Sequence, residues 1–211
     1  MTAIIDYGVG NLFSLRSSLA ALGEDARILS DPAALEAADR VILPGVGAFA
    51  DAAEKLRRSG MAEAVRACAG AGKPLLGICL GMQLLFEKSM EYGEHPGLGL
   101  LSGTVRSIRE ILAEAGADPE GRLKIPQMGW NALRFRQQSP LFRYIREGDY
   151  VYFVHSYAAT GCGEALLADT EYGAYLTAAA GKDNVMGCQF HPEKSGRVGL
   201  NILKAFCEMD A

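Results

Sequence analysis

Cys79 sits between two glycines, in the run Gly77-Ile78-Cys79-Leu80-Gly81. That spacing is the nucleophile-elbow pattern G-x-S-x-G with cysteine in the serine position. The apolar run Leu75 to Ile78 behind it, bounded by Pro74, predicts a short buried strand. Leu80, Met82, Leu84, Leu85 and Phe86 continue at helical spacing. Cys79 therefore falls on a sharp strand-to-helix turn, which requires small neighbours so that chain and substrate can come close. The turn also places the sulfur at a helix N-terminus, a position that favours thiolates. Cysteines are also among the most buried residues and commonly only pack, so the elbow alone leaves both readings open.

The second chemical cluster is His191-Pro192-Glu193. A cysteine nucleophile needs an imidazole to hold the thiolate and later protonate the leaving group, and the imidazole needs an acceptor to fix its tautomer. Residues two apart in an extended chain face the same side, and Pro192 stiffens the link between them. Alone, this histidine could be an ordinary surface residue near a strand end. Beside the elbow, Cys79, His191 and Glu193 read as a triad for acyl transfer.

The elements that must position these groups alternate along the first half of the chain. Residues 3–7, 26–29 and 40–43 read as strands, followed in turn by helices through Leu12 to Leu22, from Asp31-Pro32 to Ala38, and over 51–58 and 62–69. Strand–helix repeats with glycine-rich loops predict a doubly wound, mostly parallel central sheet flanked by helices. In such sheets the site lies beyond the carboxyl ends of the strands, where the turns Gly8/Gly10, Gly45/Gly47 and Gly77/Gly81 should converge. The first turn lacks the third glycine of a dinucleotide fingerprint and reads as a plain tight turn. The second half changes to antiparallel ribbons over 98–108 and 123–135, with residues 110–121 as a surface helix or excursion between them. Residues 150–157 carry the strongest strand signal, rich in aromatic and β-branched side chains. Strands over 165–169, 174–179 and 185–190 and a closing helix over 198–207 complete the chain.

Composition narrows the class. The 211 residues fit one domain spanning 1–211, with a mild net charge of −4 and no basic block that would suggest nucleic acid. Five cysteines at irregular spacing, an odd number, do not form a disulfide framework, and no C-x-x-C pair suggests zinc. The N-terminus lacks a signal-peptide pattern and no apolar run approaches a membrane span, so a cytoplasmic protein is expected.

These motifs resemble the class I (triad) glutamine amidotransferases. Gly77-Ile78-Cys79-Leu80-Gly81-Met82-Gln83 is similar to that family's cysteine motif, and His191-Pro192-Glu193 to its histidine–glutamate motif. Residues 6–11 (Asp-Tyr-Gly-Val-Gly-Asn), 44–49 (Pro-Gly-Val-Gly-Ala-Phe), 126–131 (Pro-Gln-Met-Gly-Trp-Asn) and 152–157 (Tyr-Phe-Val-His-Ser-Tyr) extend the resemblance over nearly the whole chain. They resemble the branch of the family that serves histidine biosynthesis. The resemblance implies that Cys79 attacks the side-chain amide of L-glutamine, His191 moves the proton and Glu193 orients His191. It implies an oxyanion hole from the backbone N–H groups of Leu80 and Val46, and a glutamine pocket lined by Gly47, Gln83, Glu91, His155, Ser156 and Tyr157. It further implies that the ammonia passes to a (β/α)₈-barrel cyclase subunit in a heterodimer. That subunit would make imidazole glycerol phosphate and an aminoimidazole carboxamide ribonucleotide, and Trp130, Asn131, Tyr152 and Lys194 would lie near the shared interface. No cofactor and no metal is implied.

Two features depart from the family pattern: the longer segment around residues 111–121, and Gln127 where histidine is expected. Both are expected to lie away from the triad. Other readings are a glutaminase of another pathway, against which Met128-Gly129-Trp130-Asn131 argues, and a non-catalytic regulatory module, against which the intact triad argues. A cysteine peptidase or esterase on a related sheet would place its histidine differently.

Overall fold

The computed structural model describes residues 1–118 and 120–209. The chain runs β1 (Thr2–Ile5), α1 (Leu12–Ala21), β2 (Ala26–Leu29), β3 (Arg40–Gly45), α2 (Phe49–Arg58), α3 (Met61–Gly70), β4 (Leu75–Cys79) and α4 (Leu80–Leu85). It continues through β5 (Phe86–Ser89), β6 (His95–Pro96), β7 (Leu101–Ser107), α5 (Ile108–Glu114), β8 (Gln127–Ala132), β9 (Arg134–Phe135), β10 (Tyr150–His155) and β11 (Tyr157–Thr160). The last elements are β12 (Leu166–Tyr172), β13 (Ala174–Lys182), β14 (Val185–Cys188) and α6 (Gly196–Cys207).

The main sheet has eight strands in the order β2-β1-β3-β4-β14-β13-β12-β9. The first five are parallel and the last three antiparallel. Parallel strands are covered on both faces and so read as continuous apolar runs; every residue of β1 and β4 is buried. The side-chain alternation of a strand sorts them into two cores. Ala3, Ile5, Val41, Leu43 and Leu75 pack on one side with Phe49, Leu56 and Val65 of α2 and α3. Ile4, Ile42, Leu76 and Ile78 pack on the other with Leu15 and Leu19 of α1 and Ile202, Leu203 and Phe206 of α6. This is the mostly parallel, doubly wound sheet the sequence predicts.

Register fixes the site. Gly45 of β3 lies opposite Cys79, and Ile78 lies opposite Cys188 of β14. The chain leaving β3, the elbow leaving β4 and the residues after β14 therefore emerge side by side from the carboxyl end of the sheet. A two-stranded ribbon, β8–β10, and a four-stranded sheet in the order β11-β7-β5-β6 stand beside that end.

Several boundaries differ from the sequence reading. Phe86, expected in the elbow helix, begins strand β5 instead, and α4 stops at Leu85. Residues 150–157 do not form one strand. The chain breaks at Ser156, with β10 pairing β8 and β11 pairing β7. The His155 ring reaches the Tyr157 carbonyl at 2.8 Å, a local bond that competes with a continuous ladder. The expected strand over 185–190 ends at Cys188. The excursion starts earlier than expected, as α5, and buries Ile108 and Leu112 against Ala158 and Leu176, a small core of its own. Pro119 of that excursion, and Asp210 and Ala211, lie outside the described residues. Among the described residues no helix is long and apolar enough to cross a membrane.

Candidate active site

Cys79 is the last residue of β4 and the residue preceding α4, with φ 55° and ψ −114°. A non-glycine residue at positive φ is strained and persists only where its surroundings over-determine it. The two flanking glycines supply that constraint. A Cβ on Gly81 would fall 1.8 Å from the Leu43 carbonyl oxygen, and one on Gly77 would fall 2.7 Å from the Met82 backbone. The glycines thus let α4 sit directly on β3 and β4. Their smallness serves chain-to-chain contact rather than the approach of substrate.

His191 follows β14 by three residues and is 2% exposed. Its backbone N–H donates to the Tyr152 carbonyl at 2.9 Å, and its Nδ1 lies 2.8 Å from Glu193 Oε1. Burial works against a charged ring here, but hydrogen bonds with the Cys79 and Glu193 side chains and their negative charge outweigh it, raising the imidazole to about 9. Cys79 lines the cavity, whereas Cys188 is fully buried, and that burial, with Glu193 and Cys79 nearby, pushes its thiol well above the ordinary value.

A cavity of about 560 Å³ opens over the sulfur. Cys79, Leu80 and His191 line it together with Val46 and Gly47 of the loop after β3. Gln83, Glu91, His155, Ser156 and Tyr157 line it as well, so the structure brings every pocket residue expected from the sequence to one space. Glu193 stands behind His191. Lys194, expected near a partner interface, also lines this cavity. Trp130, Asn131 and Tyr152 lie outside it, on the β8–β10 ribbon, where Trp130 and Tyr152 are cross-strand partners in edge contact with ring centroids 6.1 Å apart.

Several walls are held by bonds that restrict what they can offer. The Gln83 amide nitrogen donates to the Tyr157 carbonyl and to Gln189 Oε1, both at 3.0 Å, which leaves its carbonyl oxygen as the free half. Glu91 Oε2 accepts from the Phe49 N–H at 2.6 Å, at the start of α2. The His155 ring has an acceptor on each side, with Nδ1 2.8 Å from the Tyr157 carbonyl and Nε2 2.9 Å from Gln127 Oε1, and a neutral ring donates to only one of them. Burial, with the nearby His191, lowers His155 to about 4 despite the bond to the Tyr157 carbonyl, so it forms a neutral wall.

Gln127, expected to lie away from the triad, has no hydrogen bond to Cys79, His191 or Glu193 and does not line the cavity. It is fully buried and joins His155, at the cavity end of the β8–β10 ribbon, to Asn131 Oδ1 further along β8, 2.9 Å from its other end. Three further residues were not singled out in the sequence. Gln189 donates to Cys79 Sγ at 3.7 Å; it lies two residues before His191, a spacing that could have revealed it. The Tyr7 hydroxyl donates to the Pro44 carbonyl at 2.9 Å, with burial and Cys79 both raising its pKa, and so pins the end of β3. Arg109 of α5 lines the cavity mouth, where nothing in the surrounding sequence marked it.

A parallel sheet that presents a strained cysteine elbow beside a histidine–glutamate pair is the architecture of a triad amidotransferase. The chain belongs to the class-I glutamine amidotransferase family, whose model matches residues 3–209. It is 50% identical over 210 residues to "Imidazole glycerol phosphate synthase subunit HisH" of Wolinella succinogenes, covering 99% of this chain and 100% of that one. The protein of the same description from Caldanaerobacter subterraneus is likewise 50% identical over 210 residues, covering 99% and 98%. Among solved structures, one described as "Crystal structure of glutamine amidotransferase" superposes with a TM-score of 0.72 at 20% identity, covering 97% of this chain and 98% of that one. PurLQS from Thermotoga maritima superposes with a TM-score of 0.70 at 18% identity, covering 98% and 96%. At that identity the structural likeness bears on the fold alone.

Proposed function

We propose that this chain, working as one amidotransferase domain over residues 1–211, is the glutaminase subunit of an imidazole glycerol phosphate synthase in histidine biosynthesis. The observation that carries the reading is Cys79 at a positive-φ elbow, sharing one cavity with a His191 whose Nδ1 meets Glu193 Oε1 at 2.8 Å. Cys79 Sγ attacks the side-chain amide carbon of L-glutamine, and the backbone N–H groups of Leu80 and Val46 receive the oxyanion. His191, oriented by Glu193, gives its proton to the departing ammonia, leaving a γ-glutamyl thioester. The same imidazole then takes a proton from water, which releases glutamate and frees the thiol. Each oxyanion donor of this kind contributes on the order of 3 kcal/mol to the transition state.

Gly47, Gln83, Glu91, Ser156 and Tyr157 hold the glutamine, with the Glu91 carboxylate suited to its α-ammonium group. His155 acts as a fixed wall. The ammonia passes to a (β/α)₈-barrel cyclase subunit, with Trp130, Asn131, Tyr152 and Lys194 toward that partner, and the heterodimer works in the cytoplasm without a cofactor in this subunit. Exposure of Met128 at 63% and Trp130 at 51% on the same ribbon supports a docking face there. A glutaminase assay of the chain with and without a barrel cyclase and its ligand tests this. Stimulation by the partner is expected; its absence would assign the chain to another pathway.

A further inference from the structure

The triad carboxylate is satisfied on one side only. Glu193 Oε1 meets His191, whereas Glu193 Oε2 is buried without a protein hydrogen-bond partner, on a side chain 3% exposed. A buried carboxylate oxygen in that state is costly and requires an explanation. Beside it lies a cavity of about 10 Å³, at the size that admits one water molecule. Glu193, His191, Asn11, Pro44 and Gly45 at the end of β3, and Val46 just after it form its polar and backbone walls, while Leu15 and Ile78 form its apolar walls. Of the lining side chains, only His191 and Asn11 carry N–H groups, and His191 Nδ1 is already turned to Oε1. Asn11 uses its Oδ1 to accept from the Ser14 N–H at 3.4 Å, capping α1, so its NH₂ is the uncommitted half.

We propose that this cavity is a single-water site in which the water donates to Glu193 Oε2 and accepts from the Asn11 amide. Asn11 is then a positioning residue for the His191–Glu193 pair. Because Val46 walls the same cavity, next to Pro44 and Gly45 at the end of β3, the water also packs the triad carboxylate against the loop that offers the oxyanion donor. One bound molecule thereby aligns the two halves of the site that must act together.

The proposal rests on the glutaminase reading above, and Asn11→Asp tests it. This variant keeps the oxygen that caps α1 but replaces the N–H donor with a second carboxylate. Charged and titratable groups facing His191 are Cys79, Glu193 and His155, with Cys188 beside Glu193. An added carboxylate holds the His191 proton more tightly. In the complex with the cyclase, kcat for glutamine is expected to fall about tenfold or more, a share of the roughly 100- to 10,000-fold that positioned proton transfer contributes. KM should stay within twofold, and the alkaline limb of the pH–rate profile should move to higher pH. A kcat within twofold of the parent with an unmoved limb would overturn the proposal. A crystal structure of the parent complex decides it independently, including where the variant fails to fold. A water within hydrogen-bond reach of both Glu193 Oε2 and Asn11 Nδ2 is expected, and a dry cavity overturns the proposal. If the parent complex hydrolyses no glutamine, the functional reading fails instead, and the water position still reports on the site.

Discussion

At Cys79 the backbone fixes the direction of the sulfur, while at His191 the neighbours fix the charge. The imidazole reaches about 9 because hydrogen bonds and negative charge from Cys79 and Glu193 overcome its burial. The pH dependence follows from the sign of that shift. The proton that leaves with ammonia is held below about 9 and lost above it, so kcat should fall along an alkaline limb near that value. Glu193→Gln removes one of the raising charges. Its limb should move to lower pH and its kcat should drop by roughly 100-fold or more, as pH–rate profiles of the complex would show. That Cys79, His191 and Glu193 come together was legible in the sequence because glycine spacing and a two-residue histidine–glutamate step each carry a geometric meaning. Gln189 and Gln127 were not. Glutamines have no such signature, and the bonds of Gln189 to Gln83 and of Gln127 to His155 cross 106 and 28 residues.

At the scale of elements, β4 and α4 form the site by sitting directly on β3. A Cβ on Gly81 would enter the Leu43 carbonyl at 1.8 Å, a backbone atom that cannot rotate away. Gly81→Ala should therefore destabilise the chain by about 3 kcal/mol or more, at or beyond the usual range for overpacking. Urea unfolding measures this, and an unchanged midpoint would contradict the tight β3–α4 seam. The central strands were legible because both faces are buried, which leaves short continuous apolar runs. The ends of elements were not. Phe86 continues the helical apolar pattern of α4 but opens β5, and residues 150–157 read as one strand although the chain switches sheets at Ser156. In each case tertiary pairing overrode a local pattern.

Across the whole molecule, stability and activity draw on different histidines. His155 is lowered to about 4, below its ordinary value of 6.5, so the folded state resists the proton that the unfolded chain accepts. Its contribution is complete above about 6.5 and is lost as pH falls toward 4. His155→Gln should flatten that acid-side decline in urea-unfolding free energy, whatever it does to stability at neutral pH. The doubly wound architecture was legible from alternating elements, whereas the Gln127 link within the β8–β10 ribbon, from Asn131 to the cavity-lining His155, depended on three-dimensional pairing. That link joins the exposed face carrying Trp130 to the space above Cys79, consistent with a chain that makes ammonia for a partner. The most direct test is Cys79→Ala in the reconstituted pair, assayed with glutamine and with ammonium salts. Glutamine-dependent synthesis should be abolished while ammonia-dependent synthesis continues at the parental rate. Loss of both, or retention of glutamine-dependent synthesis, would contradict the proposed function.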